Sequence, residues 1–106
     1  MVMRTDEWAA AVVKSRLSED ARGDGAGSAW KAVFADTETE YIACGHPEAT
    51  EAVRLHYLHY MAWEAVAEKM NYGTKATRAM ARKWVLTAAL IAAMRGLIRA
   101  EEAGEC

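Results

Sequence analysis

The stretch Leu55–Trp84 reads LHYLHYMAWEAVAEKMNYGTKATRAMARKW. Two helical patterns meet there at the short break Asn71-Tyr72-Gly73. The second pattern opens with basic residues on one face and small residues beside them. A helix-turn-helix whose second helix enters a DNA groove has this form. The remainder of the chain is less specific.

Composition agrees with a helical reading. The chain has 106 residues, 53% of them hydrophobic, with a single proline at Pro47. That length predicts one domain with a real but small core. Alanine is abundant and alternating runs of Val, Ile and Thr are absent, which favours an all-α fold. The two cysteines, Cys44 and Cys106, do not make a disulfide framework. A reducing, cytoplasmic setting is expected. The start MVMRTDEW carries acids early and no apolar stretch of signal-peptide length, so secretion is not expected. The longest uncharged run, Trp84–Met94, is too short to span a bilayer, and no membrane partner is expected.

The net charge of −2 hides an asymmetry. Residues 1–50 hold five Lys/Arg against nine Asp/Glu, a balance of −4. Residues 51–106 hold eight Lys/Arg against six Asp/Glu, a balance of +2. Between Lys69 and Arg99 there are seven basic residues and no acid. A phosphate backbone responds to such a local field more than to the chain average.

Five helices are expected. The first runs from Asp6 to Arg22, capped by Thr5, with Trp8, Ala11, Val12, Ser15 and Leu17 facing in. Gly23–Ser28 is a turn or linker. Ser28 caps a second helix containing Trp30, Val33, Phe34, Tyr41 and Ile42, whose acidic middle, Asp36–Glu40, is either a solvated face or a break. Gly45-His46-Pro47 stops that helix and starts a third, Pro47 to His59, with Ala49, Val53, Tyr57 and Tyr60 on its inner side. A fourth runs from Ala62 to Met70 around Trp63, Val66, Ala67 and Met70. Thr74 caps a long fifth helix reaching Ala100, with an inner stripe of Thr77, Met80, Trp84, Ala88, Ile91, Met94 and Ile98. Residues 1–46 read as a helical extension of unassigned role, and residues 47–100 as the helix-turn-helix unit.

The string Val53-x-Leu55-x-Tyr57-Leu58, followed by Ala62-Trp63-Glu64-Ala65-Val66-Ala67-Glu68-Lys69-Met70-x-Tyr72, resembles region 4 of bacterial sigma factors. It is closer still to small phage-encoded regulators of the ArpU and RinA type. The resemblance covers residues 48–98, about half the chain. The chain departs from the pattern in three places. Ala62 stands where a capping serine is usual. Asn71 and Gly73 stand where glycine and then serine are expected. Thr77 replaces a valine, which weakens packing between the two helices. The resemblance implies promoter-region DNA binding and contact with RNA polymerase. Residues 1–46 resemble nothing nameable.

On a helix from Thr74, Lys75, Arg78 and Arg82 share a face, and Ala79 between them is small enough to let a base edge approach. Thr74 and the free N–H groups of the first turn suit a phosphate. Lys75 and Arg78 are assigned to bases, Arg82 and Lys83 to the backbone. The plainer reading is that these charges merely solvate a long helix. Cys44-x-His46 and His56-x-x-His59 match no standard zinc spacing, and surface or half-buried histidines are the better reading. The four tryptophans and the methionines read as core. No nucleophile elbow, phosphate loop or partnered acid pair appears, so no enzyme, cofactor or metal is expected. The apolar stretch Val85–Met94 calls for cover on more than one side, from the N-terminal helices or from a second copy in a homodimer.

The expected function is therefore that of a small DNA-binding transcriptional regulator of phage or prophage origin, with double-stranded DNA as partner. Two alternatives share the fold. One is a protein-binding module, such as an RNA polymerase adaptor or a phage inhibitor of a host defence complex. The other is a small phage packaging subunit.

Overall fold

The structure, a computed structural model, describes residues 5–21 and 28–98. Among the described residues five α-helices appear: α1 (Thr5–Ala21), α2 (Ser28–Ala43), α3 (Glu48–Val53), α4 (Trp63–Met70) and α5 (Thr74–Met94). The fold is all-α with a long C-terminal helix, and no strand occurs among the described residues. A π-helical turn, Arg54–Leu58, prolongs α3. Of the expected linker Gly23–Ser28, residues 23–27 lie outside the described residues, as does the chain beyond Ile98, while Ser28 opens α2.

The helix ends follow from single residues. α2, α4 and α5 each close with a residue in the left-handed conformation: Gly45 (φ 83°), Asn71 (φ 61°) and Gly96 (φ 75°). At each end two backbone N–H groups reach back to otherwise orphaned carbonyls. His46 N donates to Tyr41 O at 2.8 Å, Tyr72 N to Ala67 O at 3.0 Å, and Leu97 N to Ala92 O at 2.9 Å. Glycine adopts this conformation freely, and Asn is among the few other residues that tolerate it. Gly96 corrects the expected end of the last helix at Ala100: α5 stops at Met94 because Arg95-Gly96-Leu97 completes that terminator. Thr74 is not the cap of α5. Gly73 holds that position (φ −70°, ψ 149°), and no side chain caps the first turn. Ala62 likewise precedes α4 without a side-chain cap, so α4 starts at Trp63.

One hydrophobic core joins all five helices. α1 contributes Ala9, Ala10, Val13 and Leu17, not the expected stripe through Ala11 and Ser15, which are exposed. The run Ala9-Ala10-Ala11-Val12-Val13 is nearly uniform in hydropathy, so either register looks equally apolar in sequence. The side chain of Trp8 lies outside the described residues. α2 runs unbroken through its acidic middle. Thr37 is fully buried there, its hydroxyl donating to Val33 O at 2.7 Å, while Asp36 and Glu40 face solvent. On α5 the buried line is Thr77, Ala81, Trp84, Val85, Ala88, Ala89 and Ala92. Met94 is 78% exposed and Tyr60 67%, against the expectation that both face in.

Trp84 is the largest buried side chain of α5. Its indole N–H donates to Thr50 Oγ1 on α3 at 2.9 Å, and its ring lies 6.1 Å from that of Phe34 on α2. A buried indole N–H without an acceptor is costly, so this bond fixes α3 against α5. Thr37 and Thr77 differ in kind. Their hydroxyls return to their own helix or its cap, Thr77 Oγ1 to Gly73 O at 2.8 Å. Those carbonyls keep a backbone partner if the hydroxyl is removed. Thr50→Val should therefore lower unfolding free energy by about 1–3 kcal/mol, while Thr77→Val stays within about 0.5 kcal/mol of wild type. Urea denaturation of both variants checks this; equal costs would contradict the assignment.

Candidate nucleic-acid interface

α4, the turn Asn71–Gly73 and α5 form the helix-turn-helix element. Val66 and Ala67 on α4 and Thr77 and Ala81 on α5 are buried in it. Thr77 packs fully buried, its hydroxyl donating to Gly73 O. The outer face of α5 is thereby set. Lys75, Arg78, Ala79, Arg82 and Lys83 are exposed, and Thr74 is half-buried at the first helical position.

These residues fall into two groups. Successive helix residues turn by about 100°, so Arg78 and Arg82 lie about 40° apart. Together with Ala79 they line a cleft of ≈ 230 Å³ whose other walls are Lys14 of α1, Tyr57 of the π-helical turn and Trp63 of α4. Lys83 turns away from this cleft. It lines a separate groove of ≈ 180 Å³ with Tyr41, His46, Glu48, Ala49 and Met80. Lys75 and Thr74 line neither hollow.

Three members of the cleft escaped the sequence reading: Lys14, Tyr57 and Trp63. Lys14 lies on another helix, far from Arg78 in sequence, and only the packing of α1 on α5 joins them. Tyr57 is carried by a π-helical turn that no pattern in LHYLHY announces. Such turns add a residue to a helix and re-aim its side chains. The aromatic wall is held by its own contacts. His56 stacks on Trp63 with ring centroids 3.7 Å apart and planes at 14°. Its Nδ1–H donates to Met61 O at 2.8 Å, which fixes that tautomer. Tyr57 meets Trp63 edge-on at 6.1 Å.

The electrostatics separate acids from this surface. Arg95 pairs with Asp36, and Arg54 with Glu38 at 3.5 Å. Asp36 and Glu38 of α2 are therefore spent on cations outside the cleft. Among the described residues, Lys14, Lys75, Arg78, Arg82 and Lys83 have no acidic partner. Glu64 and Glu68 are exposed on α4. His46 contacts Glu48 at 3.3 Å, Cys44 is exposed, and no metal-binding group of three His, Cys, Asp or Glu forms among the described residues. Nor is any helix among them long and apolar enough to cross a membrane.

Burial raises the Tyr57 phenol above its usual 10.0. The folded state thus holds this proton to higher pH than the unfolded chain. Its contribution to stability is intact below 10.0 and is lost as pH rises through the folded value. Spectrophotometric titration should resolve a phenol step above pH 10.0 that Tyr57→Phe abolishes. Survival of that step in the variant would contradict the assignment. The chain matches no family model, and no curated protein and no solved structure resembles it significantly.

Proposed function

We propose that this protein binds double-stranded DNA sequence-specifically as a small transcriptional regulator of phage or prophage origin, acting in the cytoplasm. The observation that carries the reading is the exposed row Lys75, Arg78 and Arg82, with Ala79 beside it, on the first three turns of the second helix of a helix-turn-helix. Small and basic residues at that place suit a helix lying in the major groove. Lys75 and Arg78 would meet base edges, and Arg82 and Lys83 phosphates. The first turn of α5 carries no side-chain cap, which leaves its N–H groups available to a phosphate oxygen. The sigma-region-4 resemblance adds promoter DNA and RNA polymerase as candidate partners.

A second reading, a protein-binding module or a homodimer, is favoured by one observation. Leu90 and Met94 are 62% and 78% exposed on the uncharged outer face of α5. In a homodimer this face would be shared between copies, and the two basic rows would address a palindromic site.

Fluorescence-anisotropy titration of a mixed-sequence duplex at two salt concentrations separates the readings. The wild type should bind with a strong salt dependence. Lys75→Ala/Arg78→Ala should lose about 1–3 kcal/mol per base contact while remaining folded. Equal binding by the folded variant would move the function to the apolar face of α5.

A further inference from the structure

The cleft between α1 and α5 combines two kinds of wall. Its lining includes the cations Lys14, Arg78 and Arg82, drawn from two helices and without an acidic partner among the described residues. The rings of Tyr57 and Trp63 line the same cleft, together with the small side chain of Ala79. A bare phosphate has no use for the rings, and an apolar ligand has none for three cations. One chemical unit uses both: a nucleotide, with a phosphate for the cations and a planar base for the rings. We propose that this cleft binds a single nucleotide unit, its phosphate held by Lys14, Arg78 and Arg82 and its base against Trp63 and Tyr57.

Size and rigidity agree with one unit. The volume of ≈ 230 Å³ lies below the roughly 300–1,000 Å³ of drug-sized sites, which suits one small unit in contact with the walls rather than a large enclosed ligand. The aromatic wall is formed in advance. His56, pinned to Met61 O, stacks on Trp63, and Tyr57 abuts the same ring edge-on. A ring already fixed loses little freedom when a base arrives. The cations come from separate elements, so the site exists only when α1 is packed on α5. The inference rests on the cleft's own residues; because Arg78 and Arg82 also belong to the row proposed for duplex DNA, a nucleotide in the cleft and a duplex on α5 would compete for them.

The unit can come from a free nucleotide or from an unstacked nucleotide of a single strand, and two titrations distinguish these sources. Isothermal calorimetry of the full chain would use 2′-deoxyadenosine 5′-monophosphate in one arm and a short single-stranded oligodeoxyadenylate in the other. Saturable binding is expected in at least one arm, weakened about tenfold by Lys14→Ala and by Trp63→Leu. Binding of the free nucleotide assigns a small-molecule effector, and binding of the strand alone assigns a nucleic-acid contact. Lys14 is exposed, so its variant keeps the fold even if Trp63→Leu does not. Absence of binding in both arms overturns the proposal. So does inorganic phosphate binding as tightly as the nucleotide, or wild-type affinity in a folded Lys14→Ala variant.

Discussion

The buried indole of Trp84 is the constraint on which the rest of the arrangement depends. It is 2% exposed and needs an acceptor for its N–H, which only Thr50 supplies among the described residues. That single bond brings α3 against the middle of α5, while Phe34 brings α2 to the same ring. With α1 and α4 also packed on it, α5 becomes the axis of the domain. Its alanines at 81, 88, 89 and 92 let these helices approach closely. Once the inner line is fixed, the outer face follows from helical geometry. Lys75, Arg78 and Arg82 have no inward position left to take.

Charge is distributed consistently with that geometry. The acidic excess of the first fifty residues does not cancel the basic face, because Asp36 and Glu38 of α2 meet Arg95 and Arg54. Exposed ion pairs of this kind contribute little to stability. Their consequence is that Asp36 and Glu38 are engaged by Arg95 and Arg54 rather than by the basic residues of α5's first turns. A chain with net charge −2 thus presents a local basic surface, where it falls within a Debye length of any bound phosphate. The uncharged far end of α5, with Leu90 and Met94 exposed, is a chemically different surface on the same helix.

Much of this was legible in the sequence, for physical reasons that can be named. Gly45 and Asn71 mark helix ends because few other residues accept a left-handed backbone, and both ends lie where the residues predicted. The all-α class and the long last helix followed from alanine content and periodicity. Gly96 carried the same signal as Gly45, but the apolar residues beyond it, Leu97 and Ile98, kept helical spacing and masked it. The register of α1 was hidden by a run of alanine and valine with too little contrast to choose a face. The line Lys75, Arg78, Arg82 was visible because it is local to one helix. The cleft was not, because it is assembled from Lys14, Tyr57, Trp63, Arg78 and Arg82 across four elements and turns on a π-helical turn without a sequence signature.

The first turns of α5 are the face proposed to bind nucleic acid. Backbone-amide NMR shifts on adding a duplex to the full chain test it most directly. The account predicts shifts concentrated at Thr74–Lys83, with a second group at Lys14 and no comparable change at Leu90 or Met94. Shifts clustered at Ile42, Leu90 and Met94 instead, or none at saturating duplex, would contradict it.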